Sequence, residues 1–431
     1  MELKAGYKQT EVGVIPEDWS VKELGAFDPF VTSGSRGWAD YYSKFGEPFI
    51  RITNLSREWL YPSLNDLRFV SLPKANSEGA RTQLRDGDLL ISITADIGII
   101  GYVDARIPKP AYINQHISLA RLDASAVNSQ YTGYFLASAN GQALFRALTD
   151  SGAKAGMNLS TVKKILGAFP PSLDEQKAIA EALSDTDALI ESLEQLLIKK
   201  RQLKQGAMQE LLTGERRLPG FVGRWGDFLL GDLFSFSGGL TASRNQLGTN
   251  GYCYLHYGDI HTSKNTSICA KNNFLDIPKL DVQLKKINPS TLLKDGDVVF
   301  VDASEDNEGA SKHLVVSNPD DVPFISGLHT IVAKSKDDRL DAQYKRHCFQ
   351  VASIKEQFRF FAVGTKVSGV SKSNIGKIRI HVPSLDEQIA IASALSAMDN
   401  EITALETQLQ KARLIKQGMM QELLTGRIRL V

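Results

Sequence analysis

PSLDEQKAIAEALSDTDALIESLEQLLIKKRQLKQGAMQELLTG, Pro171 to Gly214, returns as PSLDEQIAIASALSAMDNEITALETQLQKARLIKQGMMQELLTG, Pro383 to Gly426. Every position is displaced by 212 and no gap intervenes. A match this long is an internal duplication. Each copy reads as one helix. Ser172 and Ser384 are followed three positions later by Glu175 and Glu387, the pattern of a capping box, and Gly214 and Gly426 follow the last apolar pair as stops. Ile391, Leu395, Met398, Ile402, Leu405, Leu409 and Ala412 step by alternating fours and threes; the first copy places Ile179, Leu183, Thr186, Ile190, Leu193 and Leu197 in the same register. This a/d seam predicts that each helix packs on another helix. Apolar residues off the seam (Leu189, Leu196, Leu203, Met208 and Leu212; Ile389, Leu414, Met420 and Leu424) predict a second face that receives another protein.

Working outward, the duplication extends beyond the helices. WSVKELGAF from Trp19 resembles WGDFLLGDLF from Trp225, and LRDGDLLIS (Leu84 to Ser92) echoes LKDGDVVFV (Leu293 to Val301), an Asp-Gly turn feeding a buried strand. The apolar runs around His116 and His329 also correspond, and Lys154 and Lys366 lie 212 apart. The chain therefore divides as 1–170 (with an N-terminal segment 1–18), a helix at 171–214, a second domain at 215–382, and a second helix at 383–431. Short β-like runs and Gly/Asn/Ser turns, with one helical stretch late in each domain (near Tyr131–Leu148 and Ala342–Phe361), predict α+β domains built on a curved, mostly antiparallel sheet. The second domain ties the end of one helix to the start of the other, so the helices are expected to be antiparallel. The pseudo-twofold then brings the tail RIRLV back to the first domain. A helix of about 39 residues would be about 58 Å long, a spacer with a domain at either end.

At 431 residues the chain has room for about three domains. An apolar content of 42%, a charged content of 23% and a net charge of +1 describe an ordinary globular protein and argue against a diffusely basic nucleic-acid binder. No apolar run reaches 18 residues and MELKAGYKQT lacks a signal core, so a cytoplasmic protein is expected. Cys253, Cys269 and Cys348 fit reduced thiols.

Two variable domains alternating with two near-identical helices that open with PSLDEQ and close with KQGxMQELLTG resemble the specificity subunit of a type I restriction–modification system, over essentially the whole chain. The resemblance implies two target recognition domains, each reading one half of a split, asymmetric DNA site. It implies that the helices set the gap and dock methyltransferase subunits, two in number, which nuclease–translocase subunits join. It places S-adenosylmethionine, ATP and Mg on those partners and none on this chain, and it implies a bacterial or archaeal host.

Motifs for chemistry are sparse. DPFV at Asp28 and FPPS at Phe169 fail as an amino-methyltransferase turn, and GTKVSGVS at Gly364 fails as a phosphate loop. Glu175-Gln176-Lys177 has a nuclease-like spacing, but the second copy reads Glu387-Gln388-Ile389. Cys253, His256, His261 and Cys269 are spaced too widely for an ordinary zinc knuckle. His116 and His329, beside apolar strands, read as satisfied core or interface histidines. No catalytic or metal residue is assigned.

Base reading calls for Arg toward guanine, Asn or Gln toward adenine and Asp or Glu toward cytosine, presented on loops. In the first domain the candidates are Ser35, Arg36 and Trp38; Arg51 and Asn54; Thr94 and Asp96; and Lys154 and Asn158. In the second they are Arg244 and Asn245; Asp259; Ser304 and Asp306; and Lys366, Ser368 and Lys372. Lys154 and Lys366, on Gly-rich loops, are the phosphate candidates. Two other readings remain open at this point. One is a protein-binding scaffold without sequence-specific DNA binding, and the other is the recognition half of a self-sufficient enzyme.

Overall fold

The computed structural model describes residues 5–73, 77–150, 156–263, 265–304, 311–362 and 368–430. The chain forms two compact units, Met1–Gln195 with Glu406–Val431, and Leu196–Leu405. Each unit therefore contains one domain and a half of each long helix. None of the described helices is long and apolar enough to cross a membrane.

The first unit is built on a four-stranded antiparallel sheet, in the order Phe30–Ser33, Ile117–Arg121, Leu89–Ser92 and Ile100–Tyr102. The Asp-Gly turn before Leu89 forms as expected, with Gly87 at φ +89°. Leu89, Leu90 and Ile91 are all fully buried, because the sheet is covered on both faces. Leu89 and Ile91 join Trp19, Tyr131, Phe169, Ile179 and Leu183 in the core beneath the helices. Leu90 and Leu119 turn the other way, onto Ile50 and Ile113. Those two residues belong to a second sheet, Tyr112–Ile113, Glu47–Ile50, Arg68–Val70 and Tyr42–Ser43, which contains a parallel pair. The single curved sheet of the sequence reading is thus two packed sheets.

The second unit repeats this plan. Its main sheet runs Phe234–Gly238, Thr330–Ser335, Val298–Val301, His313–Ser317 and Ser267–Cys269, the last pair being parallel. Val298 and Phe300 pack toward Tyr344, Phe349, Ile391 and Leu395. Val299 and Val301 pack toward Cys253 and Leu255 of the smaller sheet. The late helical stretch is broken in both domains, into Ser129–Ala137 and Ala139–Asp150, and into Lys345–Cys348 and Ala352–Phe361.

The long helices span Leu173–Thr213 and Leu385–Leu423. In the first unit Asp187 meets Lys416 (2.6 Å) and Glu194 meets Arg413 (2.5 Å); in the second, Lys200 meets Glu401 (2.5 Å) and Lys204 meets Asp399. Rising numbers on one helix pair with falling numbers on the other, so the segments are antiparallel in each unit. Ile179, Leu183, Ile190, Leu197, Ile391, Leu395 and Leu409 of the seam are buried, while Leu193, Met398, Ile402 and Leu405 are half-buried. Full burial of a leucine or isoleucine side chain contributes about 2 kcal/mol.

The off-seam residues divide. Leu189, Leu196, Leu203, Ile389 and Leu414 are exposed as expected. Met208 and Leu212 pack into the second domain's core, and Met420 and Leu424 into the first domain's. The uncovered stripe is therefore narrower than the sequence predicts, because each domain covers the C-terminal turns of the helix beside it.

The capping box is also corrected. Ser172 Oγ accepts from Asp174 N (3.1 Å), but the carboxylate of Glu175 is taken by Arg429, through Nε and through Nη2 (2.8 Å). Glu387 is taken by Arg217 in the same way, with Nη2 at 2.5 Å. Gln176 and Gln388 complete the motif. The side-chain Oε1 of Gln176 accepts from Asn128 N (2.9 Å) and that of Gln388 from Asp341 N (2.9 Å), each at the entry to the domain's late helices. DEQ is thus the joint between helix and domain.

Candidate nucleic-acid interface

The strand Ile117–Arg121 leads from its first residue toward Asn128 and the Gln176 joint; Thr330–Ser335 leads likewise toward Asp341 and Gln388. The opposite ends of these strands, at His116 and His329, gather loops from across the sequence. Register fixes which loops meet. Ser33 pairs with Ser118, and Ile117 with Ser92, so the segments following Ser33 and Ser92 and preceding Ile117 leave the sheet together. Met157 N donates to Ile93 O (2.7 Å), which adds the segment at Asn158. In the second unit Gly238 pairs with Ile331 and Val301 with Thr330; Ala303–Ser304 pairs with Ser368–Gly369. The four loop groups chosen from sequence in each domain therefore include three that share one sheet end.

Close backbone approach holds this end together. A Cβ on Gly34 would collide with the backbone of Ile113 and Asn114, and one on Gly239 with the carbonyl of Gly327. Glycine is required at both places because another chain segment occupies the side-chain position. Around Gly34, Arg81 donates to Ser33 O (2.7 Å), to Thr32 Oγ1 and to Ser35 Oγ (3.0 Å), while Glu78 Oε1 accepts from Ser35 N (2.9 Å). The Arg81–Glu78 pair is thus consumed in shaping the loop. Arg36 beside it is exposed and has no hydrogen-bond or ion-pair partner among the described residues.

The other first-domain candidates fall into distinct groups. Trp38 is buried, stacked on Phe49 at 4.8 Å, and Asn54 is buried with its amide nitrogen donating to Ser63 O and Asn65 O. Both are committed to the fold, so their side chains do not face a groove. Arg51 sends Nη2 to Asp66 O (3.2 Å). Thr94 Oγ1 bonds His116 Nδ1 (2.5 Å), and Asp96 pairs with Arg57 (2.5 Å). Asn158 caps the helix Leu159–Lys163 by accepting from Thr161 N (2.8 Å). Lys154 lies outside the described residues.

In the second domain Arg244 pairs with Asp259 (3.0 Å), Asn245 is exposed, and Lys372 is exposed in the first turn of Lys372–Ile375. Ser304 and Ser368 are backbone register partners in the two-residue ladder. Asp306 and Lys366 lie outside the described residues. His329 is not a core histidine. It is exposed at φ +57°, its Nδ1 3.2 Å from Asp302 Oδ1 and its ring edge-on to Tyr257. His256 is buried and caps the helix Tyr257–Thr262, its Nδ1 accepting from Gly258 N (3.0 Å). Burial and the neighbouring Arg244 charge hold its pKa below the usual imidazole value. Cys253 is buried in the small-sheet core, and no group of three or more potential metal ligands occurs among the described residues.

Two features escaped the sequence reading. Arg57, whose guanidinium bonds Asp96, Ile97 O (3.0 Å) and Gln142, carried no motif. The Arg429–Glu175 and Arg217–Glu387 joints did leave a signal, since G-x-x-R-L recurs at Gly214 to Leu218 and Gly426 to Leu430.

Comparison with known proteins agrees with this architecture. The family model for the type I restriction modification DNA specificity domain matches twice, at residues 16–200 and 223–413. A Methanocaldococcus jannaschii protein named as type I restriction enzyme MjaX specificity subunit is 25% identical over 428 residues, covering 98% of this chain and 96% of that one. The crystal structure of a type I restriction–modification S subunit from M. genitalium superposes with a TM-score of 0.58 at 14% identity, covering 98% of both chains. A chain from a structure on complex assembly and conformational transition of the type I R-M system gives 0.52 at 13% identity, covering 96% of this chain and 99% of that one.

Proposed function

Because the chain belongs to the family of type I restriction–modification DNA specificity proteins, we propose that it is the non-catalytic specificity subunit of such a complex, each domain reading one half of a bipartite, asymmetric DNA site. The observation that carries this reading is the pair of equivalent loop platforms with unlike side chains. Both are set by the same sheet register and a glycine contact, yet one presents Arg36, Thr94 and Asn158 and the other Arg244, Asn245 and Lys372. A shared frame with different polar groups suits two different half-sites, because base identity is read by side-chain donors and acceptors while the backbone frame sets position. Half-sites read from one DNA face lie about one helical turn, roughly 34–36 Å, or a multiple apart. The helices would set that gap.

The exposed leucines of the helices, Leu189, Leu196, Leu203 and Leu414, fit the docking of two methyltransferase subunits, which would hold S-adenosylmethionine. Nuclease–translocase subunits, joining through that core, would hold ATP and Mg. The chain would work in the cytoplasm of a bacterium or archaeon. The test is co-expression with the cognate modification subunit and mapping of methylated positions. A split motif with a fixed gap, one half of which changes when residues 225–382 are exchanged, supports the reading. Co-purification with partners but methylation independent of such a motif would favour a scaffold.

A further inference from the structure

The second domain's loop end contains one arginine built to a different design from the rest. Arg244 opens the single turn Arg244–Gln246, whose shape is locked because Gln246 Oε1 accepts from Ser243 N (2.8 Å) and Ser243 Oγ (3.1 Å). Its Nη2 is 3.0 Å from Asp259 Oδ1, and no other partner of its guanidinium occurs among the described residues. The side chain is 58% exposed, against 30% for Asp259. The far oxygen of that carboxylate, Oδ2, is buried and receives no hydrogen bond. The carboxylate is therefore turned inward and the guanidinium outward. Gly258 makes the arrangement possible. A Cβ there would stand 2.9 Å from Arg244 Nη2, so the guanidinium lies directly on the backbone.

This geometry discriminates among ligands. An arginine that serves a phosphate gains from net positive charge, but Asp259 cancels the charge of Arg244, and Asp302 lies close by against His329. Asp259 is a poor reader of a cytosine amino group, since its unpaired oxygen has no open surface. What the pair does offer is a planar fork of N–H donors, held in one orientation before contact. That fork matches the two parallel acceptors, O6 and N7, on the major-groove edge of guanine. Fixing the fork in advance removes part of the ordering cost of binding. His256 supports the same frame: its Nδ1 accepts from Gly258 N and fixes the backbone on which the guanidinium lies. The first domain has no such pair at the corresponding place. There the turn equivalent to Arg244–Gln246 is Trp38–Tyr41, which has no arginine, and Arg51, at the place of His256, spends its Nη2 on a backbone carbonyl.

We propose that Arg244 reads a guanine in the half-site of the second domain, and that Asp259 is its positioning residue. The proposal rests on the two-reader function. It is tested in the assembled complex with its modification subunits, by mapping the methylated motif and by titrating cognate duplexes against duplexes changed at single base pairs. Arg244→Gln and Arg244→Lys should make one G·C position of the second half degenerate, reducing its discrimination about 10- to 100-fold, with the first half unchanged. Asp259→Ala should weaken the same position alone; a merely structural role would weaken the whole second half. The intact first half reports folding and assembly in the same molecule. Unaltered discrimination in the Arg244 variants, a second half without a G·C pair, or a uniform loss on all duplexes with a shallower salt dependence would overturn the proposal. A wild-type complex without a bipartite motif would instead overturn the two-reader function from which it starts.

Discussion

Arg429 grips Glu175 across 254 positions of sequence, its Nη2 2.8 Å from Oε2, while the same guanidinium reaches Asp18 at 3.0 Å. Glu175 is buried, whereas Arg429 is partly open to water. Trp19 lies beneath, with the arginine over its ring and Gly426 against its edge. The second unit repeats the arrangement with Arg217, Glu387, Trp225 and Gly214. Removing one partner strands a buried carboxylate, a more expensive change than removing both. Arg429→Ala should cost about 3 kcal/mol, and Arg429→Ala with Glu175→Gln distinctly less. Urea unfolding of the four proteins in the cycle measures this; a double variant as unstable as Arg429→Ala contradicts it.

A second cycle probes the helix pair. Asp187 is buried, accepts from Tyr134 Oη (2.7 Å) and faces Lys416 at 2.6 Å. Burial and the adjacent carboxylate hold the tyrosine proton in place, raising its pKa. Lys416→Met should destabilise by about 3 kcal/mol, and adding Asp187→Asn should recover most of that because an amide oxygen still accepts from Tyr134. Thermal shifts read the outcome.

Acid should open the second unit before the first. Burial lowers the pKa of His313 to about 4, and burial lowers that of His347 to about 4 despite the attraction of Asp399. Both side chains are neutral when folded and bind protons once unfolded, at a pKa near 6.5. Stability is therefore undiminished above pH 6.5 and falls as pH drops toward 4, by up to roughly 3 kcal/mol for each histidine. Hydrogen exchange at decreasing pH should show residues 225–382 losing protection ahead of 19–170. His347→Tyr, which installs the group that Tyr134 provides opposite Asp187, should reduce the acid sensitivity.

The glycine contacts give a domain-specific prediction. Gly239→Ala should push the loop away from Gly327 and weaken recognition of the second half-site at least tenfold, leaving the first half intact. Gly34→Ala should do the reverse through Ile113 and Asn114. Binding to duplexes altered in either half separates the two.

The exposed helix leucines should decide assembly rather than folding. Leu203→Glu and Leu414→Glu should leave the melting temperature of the isolated chain within about 2 °C, since solvent-exposed substitutions cost little. They should nevertheless reduce co-purification of modification subunits. Mass photometry of the mixed components counts what binds.

The two long helices were legible from the sequence because Leu183, Ile190, Leu395 and Leu409 recur at a period that only a helix brings to one face. The central strands were legible because Asp-Gly precedes apolar runs at Leu89 and Val298. The second sheets were not, since Tyr42–Ser43 and Tyr112–Ile113 are too short to show a period. Among the candidate residues, burial separates those free at the surface from those the fold consumes. Asn54 and Trp38 are the polar and aromatic types that bind bases, but the same hydrogen-bonding and stacking capacity secures loops internally. Glu175 sat where a helix cap belongs; the repeat brought the tail RIRLV back to the first domain, but only the fold shows that Arg429 in that tail takes the Glu175 carboxylate.

The joint at Arg429 also bears on synthesis. The first unit is made from Met1–Gln195 and Glu406–Val431, so its Glu175 and Asp187 wait for Arg429 and Lys416 while the whole second domain is translated. A ribosome that stalls or terminates early releases a first domain whose buried carboxylates are uncovered and whose core lacks Leu423 and Leu424. Such a product is marginal by construction and open to proteases. The chain thereby ties the completion of one domain to the prior translation of the other.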